Sequence, residues 1–271
     1  MTEDHAAFVG SVPQNYDRYL GPIYFFEYAD DLAARLPVSR GVRVLEVACG
    51  TGIVTARLLK RLEGQGSLVA TDLNDPMLAH ARTRVAERPG LEFRQADATK
   101  LPFPDASFDV VVCQFGIMFF PDKAAGAREA FRVLRPGGTW LFNVWDALDR
   151  NPIARITQST IESVFPVDPP QFYRVPFSLY DPAAVTAMVG AAGFADVRWE
   201  YVEKVGTSPT ALDAATGLIE GNPVVAPITA RGPDSVKEVE AALAANLAAE
   251  LGDRPLRTPL RALVCSARRP A

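Results

Sequence analysis

VLEVACGTG, Val44 to Gly52, is the stretch on which the fold turns. Its apolar, β-branched run begins at Gly41 and continues to Ala48, with the acid Glu46 near its end; Gly50 and Gly52 follow. Beyond them Ile53, Val54, Arg57, Leu58 and Leu62 keep helical spacing. A buried strand that passes through a glycine turn into a helix is the opening of an α/β unit. Glycines at such a turn let the backbone approach a ligand, and the helix behind them presents free N–H groups.

The same alternation continues outward. SLVATD (Ser67 to Asp72), LEFRQAD (Leu91 to Asp97), FDVVVCQF (Phe108 to Phe115) and TWLFNVW (Thr139 to Trp145) read as four more strands. Asp75 as N-cap with Pro76 behind it starts a helix whose buried stripe is Met77, Ala81 and Val85. Another helix runs from Pro121-Asp122 to Leu134, and Arg135-Pro136-Gly137-Gly138 is expected to stop it. Strand–helix alternation predicts a doubly wound, mostly parallel, Rossmann-like sheet with helices on both faces. Its ligand crevice lies beyond the carboxyl ends of the strands. After Asp146 the pattern changes to a helix over Pro152–Val164 within a segment rich in proline and aromatics, and a further helix from Asp181-Pro182 to Gly193. Two late strands, DVRWEYVEKV (Asp196 to Val205) and LRALVCSA (Leu260 to Ala267), bring the sheet to seven; their pairing sense is not readable. Two helices are expected between them, over residues 208–252. The organisation expected is one domain over 1–271: an N-terminal lid at 1–40, a core at 41–146, a helical insertion capping it at 147–180, and a C-terminal half of the sheet at 181–271.

Composition narrows the function. The 271 residues carry 28 Lys+Arg against 32 Asp+Glu, a net charge of −4, with 48% hydrophobic residues. That balance, without a basic cluster, argues against nucleic acid as the main partner. No run approaches the ~20 apolar residues of a membrane span, so no membrane insertion is expected. MTEDHAAFVGSV lacks the apolar centre of a secretion signal. Cys49, Cys113 and Cys265 are odd in number and lack metal spacing, so they read as buried thiols in a cytoplasmic protein, and no metal is expected.

The glycine turn has two ligand readings. A dinucleotide fingerprint G-x-G-x-x-G starting at Gly50 would need glycine at 55, where Thr55 stands. Glu46 would also repel a pyrophosphate, whereas a cationic ligand bearing an amino acid would be welcome beside it.

With TDLNDPML (Thr71 to Leu78), QADATKLPFPDASFDVVVCQFGIMFF (Gln95 to Phe120) and EAFRVLRPGGTWLF (Glu129 to Phe142), the glycine turn completes an ordered set. Over residues 15–146 the chain resembles the class I S-adenosylmethionine-dependent methyltransferases, above all the small-molecule group that includes the ubiquinone/menaquinone-biosynthesis enzymes. The resemblance implies S-adenosylmethionine as cofactor. It implies that Glu46, Ala48, Gly50, Thr51 and Gly52 surround the methionine part, and that Asp72 accepts the ribose hydroxyls, a strong kind of hydrogen bond. Leu73 and Met77 would then pack on the adenine, Asp97 and Ala98 meet its edge, and Gln114 and Phe115 lie beneath the sulfonium. Each has a plainer reading: Asp72 as a helix cap, Asp97 as a turn former, Gln114 and Phe115 as strand-end packing. The Asn/Asp-Pro-Pro-aromatic box of nucleic-acid amino-methyltransferases is missing after the fourth strand, where Gln114-Phe115-Gly116-Ile117 stands.

Aromatics point to the acceptor. Residues 1–30 and 160–180 hold twelve of the chain's 25 aromatic residues. These segments lie outside the nucleotide-type sheet, and concave aromatic-lined sites suit apolar or ring-containing small molecules. Tyr19, Phe119, Phe172 and Tyr173 are the acceptor candidates, although the aromatics also suffice to glue a lid to the sheet. In the family a tyrosine from the lid lies over the cofactor; Tyr16 and Tyr19 of YDRY are placed for it, ahead of an amphipathic helix bearing Phe25, Tyr28, Ala29, Leu32 and Leu36. No acid–base residue is identified: His80 falls on a helix face away from the buried stripe, and His5, Tyr16 and Tyr19 are the weak candidates. Methyl transfer from a sulfonium needs chiefly proximity and alignment. Two other functions stay open: a cofactor-binding cyclase or regulator of the same fold, and an NAD(P)-dependent oxidoreductase. The oligomeric state is open too, a homodimer included.

Overall fold

The structure, a computed structural model, describes residues 8, 10, 12–86 and 88–271. Seven strands form one sheet: β1 (Arg43–Val47), β2 (Ser67–Asp72), β3 (Leu91–Gln95), β4 (Phe108–Gln114), β5 (Leu134–Trp145), β6 (Ala195–Ser208) and β7 (Leu256–Arg268). Their order is β3-β2-β1-β4-β5-β7-β6. The first five run parallel, with Leu45 opposite Val69 on one side and Val111 on the other. β7 is antiparallel to both β5 and β6. The chain therefore winds outward from β1 through β2 to β3, then returns to the other side of β1 for β4 and β5. The carboxyl ends of β1 and β4 part the chain at this reversal and leave a crevice there. Val44, Leu45, Val110, Val111 and Val112 are fully buried, as strands covered on both faces must be.

Ten helices surround the sheet among the described residues: α1 (Val12–Asn15), α2 (Phe26–Ala34), α3 (Ile53–Leu62), α4 (Asp75–Arg84), α5 (Lys123–Val133), α6 (Pro152–Val164), α7 (Pro182–Ala191), α8 (Ala211–Glu220), α9 (Val225–Thr229) and α10 (Ser235–Leu251). A wide, π-type helix, Tyr16–Phe25, joins α1 to α2. Among the described residues, no helix is long and apolar enough to cross a membrane.

Several expectations shift. Tyr16 and Tyr19 lie ahead of α2, as expected, but within a wide helix of their own, and Phe25, Tyr28, Ala29, Leu32 and Leu36 are buried as the spacing required. The cap of α4 is Asn74, which has extended backbone, so Asp75 is already the first helical residue. Arg135 to Gly138 do not form a stop of their own: α5 ends at Val133 and these residues belong to β5. Between the pairs Phe108↔Leu134 and Val110↔Thr139, β5 uses three more residues than β4. Gly137, at φ +78°, takes up the bulge and donates its N–H to the carbonyl of Arg269 at 2.9 Å. The 208–252 segment holds three helices, not two, because Val225–Thr229 makes a short one of its own.

Candidate active site

A cleft lies over the carboxyl ends of β1, β2, β3 and β4, with about 790 Å³ between its walls, part of it open to solvent. The turn after β1 contributes Ala48 and Gly50, and the end of β2 contributes Asp72 with Leu73 just beyond it. Met77 comes from α4, Asp97 and Ala98 from beyond β3, Gln114 and Phe115 from the end of β4, and Tyr16 from the wide helix. Ten residues separated by up to 99 positions in sequence thus converge on one space.

The strand ends are held in uncommon conformations. Ala48 and Phe115 have φ of +55° and +50°. Such positions cost ~1–3 kcal/mol each and persist only when their surroundings over-determine them. For Phe115 the surroundings are explicit. Its N–H donates to the side-chain oxygen of buried Asn143 at 2.9 Å, and its ring stacks on Trp145 at 3.8 Å and 4°. Gly50 has φ +55°, and a Cβ there would meet nothing within 4 Å, because it would project into the cleft.

The acids divide by environment. Asp72 is buried; its Oδ2 accepts the Gly50 N–H at 2.8 Å and its Oδ1 the Asn74 N–H at 2.9 Å. Burial raises its pKa, against the lowering effect of those N–H donors. Glu46 is fully buried and accepts the Thr55 hydroxyl at 2.6 Å. Burial pushes its carboxyl up to about 8, the Thr55 hydrogen bond opposing. Glu46 therefore sits behind the glycine turn, not in the cleft wall. Thr51 and Gly52 also stay out of it: Thr51 donates to Asp17 at 3.1 Å, and a Cβ at Gly52 would come within 3.1 Å of the Ala81 Cβ of α4. Asp97 is exposed, and its carboxylate accepts from the N–H and hydroxyl of Thr99, which is the turn-forming arrangement. Leu73 stands 53% exposed at the cleft edge.

A second cleft adjoins the first, and Phe8, Tyr16, Phe115 and Phe119 line both. Its remaining walls are the wide helix, Trp145 at the end of β5, Phe172, Tyr173 and Phe177 after α6, and Asn222 after α8. The two aromatic-rich segments of the sequence meet here. None of its described lining residues carries a carboxylate, ammonium, guanidinium or imidazole.

Residues 44–138 match the methyltransferase-domain family. The chain is 34% identical over 175 residues to the ubiquinone/menaquinone biosynthesis C-methyltransferase of Serratia proteamaculans, covering 60% of this chain and 70% of that protein. This chain belongs to the S-adenosylmethionine-dependent methyltransferases. To the corresponding enzyme of Stenotrophomonas maltophilia it is 45% identical over 108 residues, 39% of this chain and 43% of that one. It spans less than half the length of several other relatives. Its fold is that of the Haemonchus contortus phosphoethanolamine N-methyltransferase 2 solved with S-adenosyl-L-methionine, at TM-score 0.64 and 16% identity, over 99% of this chain and 59% of that one.

In this methyltransferase some candidate residues fall elsewhere. Tyr19 lies outside both cleft linings and packs on α8, where a Cβ at Gly217 would come within 2.4 Å of its own Cβ. His80 is half-buried rather than surface-lying, with Nε2 3.6 Å from Asp17. His5 lies outside the described residues. Asp17, Thr55, Tyr24 and Asn222 were not anticipated. Thr55 stood in the sequence only as the residue that broke the dinucleotide fingerprint; an acid–threonine pair nine residues apart, on a strand and the helix after it, was the signal available.

Proposed function

We propose that this methyltransferase transfers the methyl group of S-adenosylmethionine to a small, neutral, aromatic or otherwise apolar acceptor held in the second cleft. The observation that carries this is the sharing of walls: aromatic side chains, Tyr16, Phe115 and Phe119 among them, line both clefts, so a molecule in one lies against a molecule in the other.

The residues of the first cleft fit the cofactor. Gly50 leaves its space open. Gln114 Oε1 is buried without a partner among the described residues and offers an acceptor. Asp72 keeps lone pairs beyond its two backbone donors for ribose hydroxyls. Ala48, Leu73, Met77, Ala98 and Phe115 supply apolar contact, and Glu46 supplies negative charge behind the glycine turn once it ionises. When bound, the cofactor supplies an electrophilic methyl group on a sulfonium.

The chain's own part is positioning. Burial holds the Tyr16 hydroxyl protonated well above the usual tyrosine range, with Asp72 and Asp17 adding to the shift. Among the described residues the acceptor cleft thus presents no ready proton acceptor, which supports an acceptor that brings its own nucleophilicity. Alignment and exclusion of water remain for the protein to provide. In this reading 41–146 is the cofactor core, with the described residues of the 1–40 segment and 147–180 closing over it. The relatives' name as C-methyltransferases of quinone biosynthesis supports a ring acceptor. The acidic charge supports a protein working without nucleic acid, and the three buried free thiols support a reducing compartment such as the cytoplasm.

The test is transfer of a deuterated methyl group from labelled cofactor to a panel of quinols, phenols and aliphatic amines, read by product mass. Label in ring compounds is expected, and Phe172→Ala should change turnover while leaving cofactor affinity within about tenfold. Label found only in charged amines sinks the proposal.

A further inference from the structure

The aromatic cleft contains a polar group that is both shielded from solvent and unpaired among the described residues. Tyr24 lines it and is 6% exposed, and its hydroxyl is shielded from solvent without a hydrogen-bond partner among the described residues. Buried hydroxyls are almost always paired, so an unpaired one calls for an explanation. The ring is clamped: it meets Trp145 edge-on at 5.3 Å and lies tilted against Phe25 at 5.8 Å. Its hydroxyl is therefore held in place rather than free to seek water.

Tyr173 and Asn222, two other polar residues of the cleft, are tied to each other and to α8. Tyr173 donates its hydroxyl proton to the Leu218 carbonyl at 2.5 Å and accepts from Asn222 Nδ2 at 3.1 Å. Asn222 Nδ2 also donates to the Leu218 carbonyl at 3.1 Å. That triangle ties the α8 end to the segment after α6, and Tyr24 lies close enough to Tyr173 to act on it electrostatically. Burial keeps Tyr24 protonated, so it is a donor.

We propose that the Tyr24 hydroxyl is a specificity-determining contact, donating a hydrogen bond to a carbonyl or hydroxyl oxygen on a neutral ring acceptor. This rests on the second cleft being the acceptor site. A site with a buried donor aimed into it rejects the analogue lacking the matching oxygen, because the donor then stays unpaired. Tyr24 thereby separates oxygenated rings from plain hydrocarbons of the same shape, a distinction the hydrocarbon faces of the aromatic walls do not make.

The experiment compares 1-naphthol with 1-methylnaphthalene, in which a methyl group replaces the hydroxyl. Binding of each to the full chain saturated with S-adenosylhomocysteine is measured by equilibrium dialysis, for the wild type, Tyr24→Phe and Tyr173→Phe. The affinity ratio of naphthol to methylnaphthalene is expected to fall about tenfold in Tyr24→Phe, equivalent to about 1.4 kcal/mol. It should hold in Tyr173→Phe, whose hydroxyl is spent on Leu218. An unchanged ratio in Tyr24→Phe overturns the assignment while leaving the acceptor cleft standing. If neither compound binds the wild type, the acceptor reading fails and this one falls with it. The melting temperature of ligand-free Tyr24→Phe gives a second check. It should equal or exceed the wild type's, because an unpaired buried hydroxyl has gone; a fall of several degrees means the hydroxyl was already satisfied and overturns the proposal.

Discussion

Asp72 Oδ2 accepts the backbone N–H of Gly50 at 2.8 Å, so the acid that ends β2 holds the glycine turn that follows β1. The same carboxylate takes the Asn74 N–H and so shapes the entry to α4. One side chain thus orders two edges of the cleft before any ligand arrives.

Replacing Asp72 tests that arrangement. Asp72→Ala is expected to weaken S-adenosylmethionine binding by ~1.5–3 kcal/mol, the scale of charged hydrogen bonds, with the protein still folded. Asp72→Asn keeps one acceptor oxygen and should lose less. Gly50→Val should be worse than either. It adds ~1–2 kcal/mol of left-handed strain and puts a side chain into the cleft. Titration calorimetry beside a melting curve separates binding from folding. Unchanged affinity in Asp72→Ala would make that residue a loop support alone.

Glu46 gives the second prediction, through pH. Its carboxyl is raised from the ordinary 4.5 to about 8 by burial. Between those values the folded chain keeps a proton that the unfolded chain has released. Stability from this group is therefore fully present below about pH 4.5 and falls as pH rises towards 8. Asp72 shifts in the same direction. A cofactor ammonium near Glu46 would favour the ionised form, so binding at pH 7 should expel up to one proton. The apparent binding enthalpy should then differ between phosphate and Tris buffers, and Glu46→Gln should remove the difference. Equal heats in both buffers for the wild type would place Glu46 out of reach of the cation.

Much of this was legible because it is local. The strand–glycine–helix turn at Val44–Gly52 and the helix Pro152–Val164 follow from spacing and breakers over a dozen residues, and α6 has the bounds its sequence indicates. The antiparallel placement of β7 between β5 and β6 was not legible. That choice is made by packing across the sheet, and the intervening helices allow either sense. The Arg135–Gly138 turn misled for a related reason: a proline and two glycines signal a break, and the chain uses them as a bulge inside a strand. At the site, residues on motif positions such as Gly50 and Asp72 were found from the resemblance. Tyr24, Asn222 and Asp17 were not, because each also depends on a residue far off in sequence: Trp145 for Tyr24, Tyr173 for Asn222 and Thr51 for Asp17. Tyr19 shows the converse: its spacing is right, but the wide helix turns it towards Gly217.

Asp17 supplies the last prediction. It lies one residue after Tyr16 on the wide helix, and its carboxylate accepts from Thr51 at 3.1 Å, pairs with Arg84 of α4, and faces His80 at 3.6 Å. The N-terminal segment is thereby tied to the glycine turn and to α4 at once, next to the cleft that Tyr16 lines. Asp17 and Arg84 are only 20% and 24% exposed, so solvent screens the pair less than a surface ion pair. Asp17→Ala removes every one of these contacts and leaves Arg84 without its carboxylate. A loss of ~1.5–3 kcal/mol is expected, the range for hydrogen bonds to charged groups. If the tie holds the segment over the cofactor, Asp17→Ala should also bind S-adenosylmethionine several-fold more weakly. Limited proteolysis should then cut the chain sooner between residues 12 and 25. Asp17→Asn, which keeps an oxygen for Thr51 but no charge for Arg84, should fall between the two. Faster cleavage with unaltered cofactor affinity would show that the segment is anchored by Asp17 but does not bear on the cofactor cleft. Neither effect would mean that the buried aromatic contacts hold the segment by themselves.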